Sequence, residues 1–299
     1  MHANRLRGAL AALFSLVAGA AAASSADALR AGSMEAMIPE IVDTYVRAGL
    51  SWDTSITWDI GPFTTTYWYY DLSEDKIIVG AVPTPDEVDA YWQEWSRVLT
   101  DGHFDPDDFF ASDDEAEELA RYNQFVLATH ESAHAITYRY DFEHLARHDY
   151  AINCREYYAD RLTVAILNDE AGRDPDMARW RERYADLAIA MGQSIPEEFR
   201  YTIDSFAALD DNCALIDVAQ PTPDNMQPYA SAYFERYRVL LEADLPPLAE
   251  VFHEHLTRYA EERVDAMPLD PERASVEVVN LSERPAVDLG LYYPFEDPD

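Results

Sequence analysis

Apolar and polar residues recur with two different periods along this chain. In residues 34–50 the apolar side chains lie three and four positions apart, which predicts an amphipathic helix. In residues 56–58, 64–70 and 77–79 β-branched and aromatic residues cluster, with a turn-rich segment before the last run, which predicts a small antiparallel sheet. Helical spacing returns beyond this region and continues to about Val264. The pattern therefore predicts an α+β fold that is mainly helical.

Helix-start signals and polar segments place the remaining elements. Residues 84–87 read Thr-Pro-Asp-Glu, a capping box with proline at the first helical position, and they predict a helix that runs to about Leu99. The acidic residues 105–118 are predicted to form a solvated loop. Residues 118–134 contain no Gly or Pro and have apolar residues at helical spacing, so a long helix is expected there. Further helices are predicted at residues 176–191, 196–209, 229–241 and 245–264.

The chain reads as one domain with lobes. No Gly/Ser-rich or Pro-rich linker divides it, and about 275 residues can bury a large core, so residues 27–299 are predicted to fold together. We expect a lobe that contains the sheet to about residue 117, a pair of site helices over residues 118–168, and a helical C-terminal lobe over residues 169–299.

The N-terminus has the pattern of an export signal. Arg5 and Arg7 precede the uncharged, largely apolar residues 9–20, a run too short to span a bilayer comfortably, and small residues follow. This pattern predicts a signal peptide over residues 1–26, removed after about Ala23 or Ala26. The mature protein is then expected to be secreted or periplasmic, with no membrane insertion. A retained N-terminal anchor is the alternative.

The chain is strongly acidic. It has 57 Asp and Glu against 22 Lys and Arg, and its formal net charge is −35. Residues 1–26 hold two arginines and no acid, so their removal takes the charge to −37. Such a charge excludes electrostatic binding to nucleic acid or to an anionic membrane. It fits a protein kept soluble at high salt, although the near-absence of lysine also fits a GC-rich genome.

Residues 130–134 read His-Glu-Ser-Ala-His, an HExxH motif. On a helix, His130 and His134 point the same way and can hold one Zn²⁺, while Glu131 can reach a metal-bound water without being a ligand. Two satisfied core histidines are the structural alternative. Metzincins need Gly and His at the third and sixth positions after the second histidine, where this chain has Thr137 and Tyr140.

A downstream Glu-x-x-x-Asp pair supplies a third protein ligand, which the HExxH motif lacks. Glu156 lies 22 residues beyond His134, far enough for the chain to turn and return on another helix with a third ligand. Asp160 follows on the same helix face, and a ligating histidine usually needs a carboxylate on its other ring nitrogen. His144 and His148 are alternative third ligands, but they fall in a polar stretch with the composition of a turn.

The combination of HExxH with a downstream ExxxD resembles the gluzincin superfamily of zinc metallopeptidases, the group that includes thermolysin. The resemblance covers about 40 residues, from Glu118 to about Leu167. It implies three zinc ligands, a general base within HExxH, and an aspartate that hydrogen-bonds a zinc-binding histidine. Carried over to this sequence, these are His130, His134 and Glu156 as ligands, Glu131 as the base, and Asp160 as the partner of a histidine.

The resemblance also implies features outside the two motifs. A small sheet precedes the HExxH helix in this superfamily, and its edge strand pairs with the backbone of the bound peptide. The aromatic residues 67–70 either take part in such contact or pack within the sheet. A donor that stabilises the oxyanion is expected in the C-terminal lobe. His255 is assigned this catalytic role here, with His253 and Arg258 as neighbouring candidates.

The residues together predict a zinc metallopeptidase that acts on peptides or proteins. Zinc lowers the pKa of a bound water, and Glu131 takes the proton as that water attacks a peptide carbonyl. One alternative is a zinc-binding envelope protein without activity, serving as a scaffold, inhibitor or chaperone. Another is a hydrolase that uses the same site on a different bond. A structural zinc site would not need Glu131.

The chain has two cysteines, Cys154 and Cys213. In an oxidising exported compartment they can form one disulfide that joins the segment just before Glu156 to a distant part of the chain. By the chain-entropy argument, closing a loop of this length stabilises the fold by roughly 4 kcal/mol. Two buried free thiols are the alternative.

Overall fold

A computed structural model gives the fold of the protein. It describes residues 24–50, 52, 54–63, 68–71, 74–139, 151–211, 213 and 226–254. Within these ranges the chain is mainly helical with one small sheet, so the predicted fold class is confirmed. No helix among the described residues is both long enough and apolar enough to cross a membrane.

Three short strands form the sheet: β1 (Thr57–Gly61), β2 (Tyr69–Asp71) and β3 (Lys76–Gly80). Their order is β1-β3-β2, so β2 lies at an edge. β2 pairs antiparallel with β3, as a short turn requires, but β1 pairs parallel with β3. The prediction of a wholly antiparallel sheet is therefore wrong. The segment between β1 and β3, which includes β2, is long enough for the crossover that parallel strands need.

The first two helices pack against the middle of the molecule. They are α1 (Ser25–Ala31) and α2 (Met34–Arg47), capped at their N-termini by Ser24 and Ser33. The Ser25 hydroxyl donates a 2.6 Å hydrogen bond to the buried carboxylate of Glu170, about 145 residues away in sequence. Residues from the small-residue stretch of the predicted signal region therefore belong to the folded core.

If the predicted signal peptide is removed, this packing favours one of its two cleavage positions. Cleavage after Ala26 would remove Ser25 and Ala26, which are 2% and 0% exposed, together with the α1 cap. Cleavage after Ala23 keeps all of these contacts. We therefore expect the exported protein to begin at Ser24, and N-terminal sequencing of that protein checks this. An N-terminus at Asp27 would contradict it.

The next helices lead into the predicted metal helix. A 3₁₀ turn at Pro85–Glu87 opens α3 (Val88–Thr100), and the Glu87 carboxylate accepts hydrogen bonds from the Thr84 N–H and hydroxyl at 2.9 and 2.6 Å. A short helix, α4 (Pro106–Phe109), follows, and α5 spans Asp113–Arg139. The predicted acidic loop is thus partly helical. Acidic side chains in the first turn of α5 favour this early start, because they face the positive end of the helix dipole.

The remaining helices build the core around α5. They are α6 (Ala151–Arg173), α7 (Pro175–Ser194), α8 (Phe206–Asp211) and α9 (Met226–Glu242), and residues 248–254 are also helical. α6 packs on both α5 and α7, and α9 packs on α7 and α6. Most side chains of α5 between Leu119 and Ala133 are buried, so this helix lies at the centre of the described fold.

The helix predicted at residues 196–209 is not continuous. A 3₁₀ turn at Glu197–Phe199 is followed by a non-helical segment before α8. In that segment the Tyr201 N–H donates to Ser231 Oγ at 2.8 Å, and the Ile203 N–H donates to Glu235 Oε1 at 3.0 Å. Because side chains of α9 satisfy these backbone donors, the segment does not need helical hydrogen bonds.

Candidate metal centre

Two neighbouring helices bring the predicted ligands together. α5 carries His130 and His134 on one face, and α6 returns alongside α5 with Glu156 toward them. His130 is buried, while His134 and Glu156 are partly exposed. The site therefore has a buried floor and an open side, the arrangement that a catalytic metal needs to hold a water or substrate.

The distances between these side chains suit a shared metal ion. The Nε2 atoms of His130 and His134 lie 3.0 Å apart. Glu156 Oε2 lies 3.3 Å from His130 Nε2, and Glu156 Oε1 lies 3.6 Å from His134 Nε2. Ligand atoms bound about 2.0–2.1 Å from a tetrahedral zinc ion lie about 3.3 Å from one another. Within the described part of the chain, these three residues form the group that could hold a metal ion.

The charges of the cluster favour a cation. Burial favours the neutral form of Glu156. The charges and hydrogen bonds of His134 and His130 have a larger, opposite effect and hold the pKa of Glu156 well below its usual range. Burial also opposes a charged His130, yet Asp160 and Glu156 raise the pKa of His130 well above its usual range. The carboxylates of Asp160 and Glu156 thus favour a proton on the His130 ring, and a metal ion can replace that proton.

Asp160 lies where the sequence predicted it. Its Oδ1 is 2.8 Å from His130 Nδ1, and its side chain is fully buried. This contact leaves Nε2 of His130 directed to the metal position, as a histidine–carboxylate pair should. The other oxygen, Oδ2, is paired with the Nε of Arg236 from α9. Arg236 is 3% exposed, so both charges of this pair are inside the protein.

Glu131 also lies in the site, next to the histidines but outside the ligand group. Its side chain is buried, and burial raises its pKa, an effect that His130 and His134 oppose. The carboxylate accepts a hydrogen bond from the backbone N–H of Tyr70, which belongs to the edge strand β2. Glu131 is therefore held between the metal position and the edge of the sheet.

Two residues of α9 interact with the site, and no sequence motif singled them out. Arg236 contacts Asp160, as described above. Tyr229 lies two turns earlier on the same helix, and the negative charge of Glu156, together with burial, raises the pKa of its hydroxyl. The hydroxyl therefore stays protonated at neutral pH and can donate a hydrogen bond. A seven-residue spacing on one helix places both side chains on the same face.

The other candidates from the sequence do not enter this geometry. His144, His148, His255 and Arg258 lie outside the described residues. His253 is described, and it is exposed. The catalytic role assigned to His255 stays a prediction, whereas Tyr229 is a described residue of the C-terminal half that interacts with the site electrostatically.

Cys154 and Cys213 form a disulfide, so the structure has the bridge and not the free thiols that the sequence left as the alternative. It ties the first turns of α6, two residues before Glu156, to the end of the α8 segment. Nearby, the Tyr157 hydroxyl donates to Asp210 at 2.5 Å, and Arg161 lies 3.4 Å from the same carboxylate. The start of the ligand-bearing helix is therefore held by a covalent bond and by polar contacts.

Cys154→Ser with Cys213→Ser should lower the free energy of unfolding by about 2–4 kcal/mol. The bridge closes a long loop and restricts the unfolded chain. Denaturant unfolding of both proteins, with and without a reductant, measures the difference. The reductant should destabilise the wild type and leave the double variant unchanged. If the wild type and the double variant are equally stable without reductant, the disulfide does not stabilise the fold.

Comparisons with protein-family models, with curated proteins and with solved structures find no match for this chain. The structural feature that bears on function is the group formed by His130, His134 and Glu156, which could hold a metal ion.

Proposed function

We propose that this protein is a gluzincin-type zinc metallopeptidase that hydrolyses peptide bonds. The observation that supports this most is the cluster of His130, His134 and Glu156. The two Nε2 atoms lie 3.0 Å apart, Glu156 Oε2 lies 3.3 Å from that of His130, and Oε1 lies 3.6 Å from that of His134. Two imidazoles and one carboxylate are the ligand set of many catalytic zinc sites, which keep a fourth position open. The partly exposed His134 and Glu156 leave room for that position.

Glu131 is the general base in this proposal. Zinc bound to the three ligands would polarise the peptide carbonyl and lower the pKa of a water molecule. Glu131 accepts the proton of that water on its carboxylate and delivers it to the leaving amine.

The edge of the sheet is the proposed binding surface for the peptide backbone. β2 is an edge strand, and the N–H of Tyr70 on this strand bonds to the Glu131 carboxylate. An extended peptide added to such an edge gains main-chain hydrogen bonds and lies beside the base. Tyr69 is 48% exposed on the same strand and can cover part of the bound peptide.

The disulfide is compatible with a secreted or periplasmic location, which we propose from the N-terminal pattern. The strong negative charge of the chain favours basic or neutral peptides over acidic ones, since like charges repel.

Metal analysis combined with a digestion assay tests the proposal. The purified protein should contain close to one zinc per chain and should cleave a mixture of denatured proteins. A zinc chelator should stop cleavage, and added zinc should restore it. A protein that takes up no zinc when zinc is supplied would overturn the proposal. Zinc uptake without any cleavage would instead support a zinc-binding scaffold.

Tyr229→Phe should reduce the cleavage rate by about 10²–10³-fold while zinc content stays the same. We assign the Tyr229 hydroxyl as the donor to the oxyanion because the negative charge of Glu156 acts on it, and removal of one such donor has effects of this size. Tyr233→Phe is the control on the same helix, because its hydroxyl lies 3.3 Å from the hydroxyl of Tyr184. A Tyr229→Phe variant with wild-type activity would exclude this role.

A further inference from the structure

A row of three buried side chains connects α9 to the metal position. Arg236 on α9 pairs through Nε with Asp160 Oδ2 on α6, and Asp160 Oδ1 lies 2.8 Å from His130 Nδ1 on α5. The three side chains are 4%, 0% and 9% exposed. Each helix therefore contributes one member, and neighbouring members are in direct contact.

We infer that Arg236 is a positioning residue for the metal site, acting through Asp160 on His130. The inference rests on the proposed metal site but not on hydrolysis. An aspartate that contacts the histidine through one oxygen can still rotate about its two side-chain bonds. Arg236 holds the second oxygen and so fixes the plane of the carboxylate. The orientation of the His130 ring follows from this, and Nε2 is presented to the metal.

The positive charge of Arg236 also supports metal binding. Three carboxylates, those of Glu131, Glu156 and Asp160, lie in or beside this partly buried site. A divalent cation neutralises two of these charges, and the guanidinium of Arg236 neutralises the third. Without Arg236 the site would keep an uncompensated buried negative charge at Asp160, the most deeply buried of the three.

The geometry of arginine is also specific here. Its planar guanidinium keeps a fixed direction toward a carboxylate, whereas a lysine ammonium is a point charge on a flexible chain. Arg236→Lys thus keeps the charge and loses the fixed orientation, and Arg236→Met loses both. Arg238→Met is the matched control. It lies two residues away on the same helix, and its partners are Glu235, Glu242 and the Ile203 carbonyl, none of which belongs to the metal site.

The first measurement is the zinc dissociation constant, obtained by competition with a chelator. We expect Arg236→Met to weaken zinc binding by about 10–100-fold, the size of effect seen when a partner beyond the ligands is lost. Arg236→Lys should show a smaller loss, and Arg238→Met none. In an Asp160→Asn background the further change Arg236→Met should have little additional effect, because both substitutions disturb the same contact between Asp160 and His130. Additive losses, or wild-type affinity in folded Arg236→Met, would overturn the inference.

The second measurement does not need a metal. In metal-free protein, the Nδ1–H proton of His130 should give a strongly downfield NMR resonance because it faces the Asp160 carboxylate. It should shift or disappear in Arg236→Met and Arg236→Lys and remain in Arg238→Met. If Arg236→Met does not fold, Arg236→Lys decides by the same two readouts. If the wild type binds no zinc, the proposed function is wrong. If the Nδ1–H resonance of His130 is unchanged in Arg236→Lys, the role of Arg236 is wrong, whether or not zinc binds.

Discussion

Glu131→Gln should retain one zinc per chain and the wild-type fold, and its cleavage of denatured proteins should fall by at least 10²–10⁴-fold. A glutamine amide has nearly the same size as the carboxylate but cannot accept the proton of an attacking water. Glu131 lies outside the ligand group of His130, His134 and Glu156, so the metal should stay. The amide can still accept the hydrogen bond from the Tyr70 N–H, so the contact with the sheet edge survives.

The same substitution elsewhere on the helix provides the control. Glu117 also belongs to α5, about four turns before the site, and it pairs with Arg121 near the surface. Glu117→Gln should leave both zinc content and cleavage unchanged. If Glu131→Gln loses its metal, Glu131 is a ligand and the geometry is misassigned. If it cleaves as fast as the wild type, the base lies elsewhere. Zinc binding without cleavage by either protein favours the scaffold alternative.

The sequence predicted the parts of the site that depend on local spacing. His130 and His134 share a helix face because four residues make about one turn, and Glu156 and Asp160 share a face for the same reason. The meeting of the two pairs needed only a second helix that packs beside the first, and α6 does so. The structure agrees with both expectations: Asp160 Oδ1 lies within hydrogen-bonding distance of His130 Nδ1.

The parts that the sequence did not predict depend on distant packing. Arg236 and Tyr229 reach the site only because α9 packs on α6, and neither belongs to a motif. The parallel pairing of β1 with β3 was missed because alternation of residue types does not specify strand direction.

His130→Ala, His134→Ala and Glu156→Ala should each bind zinc far more weakly than the wild type. Each removes one of three bonds to the ion, and the two that remain do not define a tetrahedral site. His103→Ala is the control, because His103 is exposed on the segment after α3. Metal analysis after dialysis against a weak chelator should find zinc in the wild type and the control, and little in the three ligand variants.

Thermal unfolding separates loss of the metal from loss of the fold. Bound zinc stabilises only the native state, by about 4 kcal/mol when free zinc is a thousand times its dissociation constant. Added zinc should therefore raise the melting temperature of the wild type and of His103→Ala, but not of the ligand variants. His130→Ala should still fold without metal, because Asp160 keeps its buried ion pair with Arg236. Stabilisation of Glu156→Ala by zinc to the wild-type extent would show that another residue is the third ligand. His144→Ala and His148→Ala would then identify it, and the gluzincin-type assignment would be wrong.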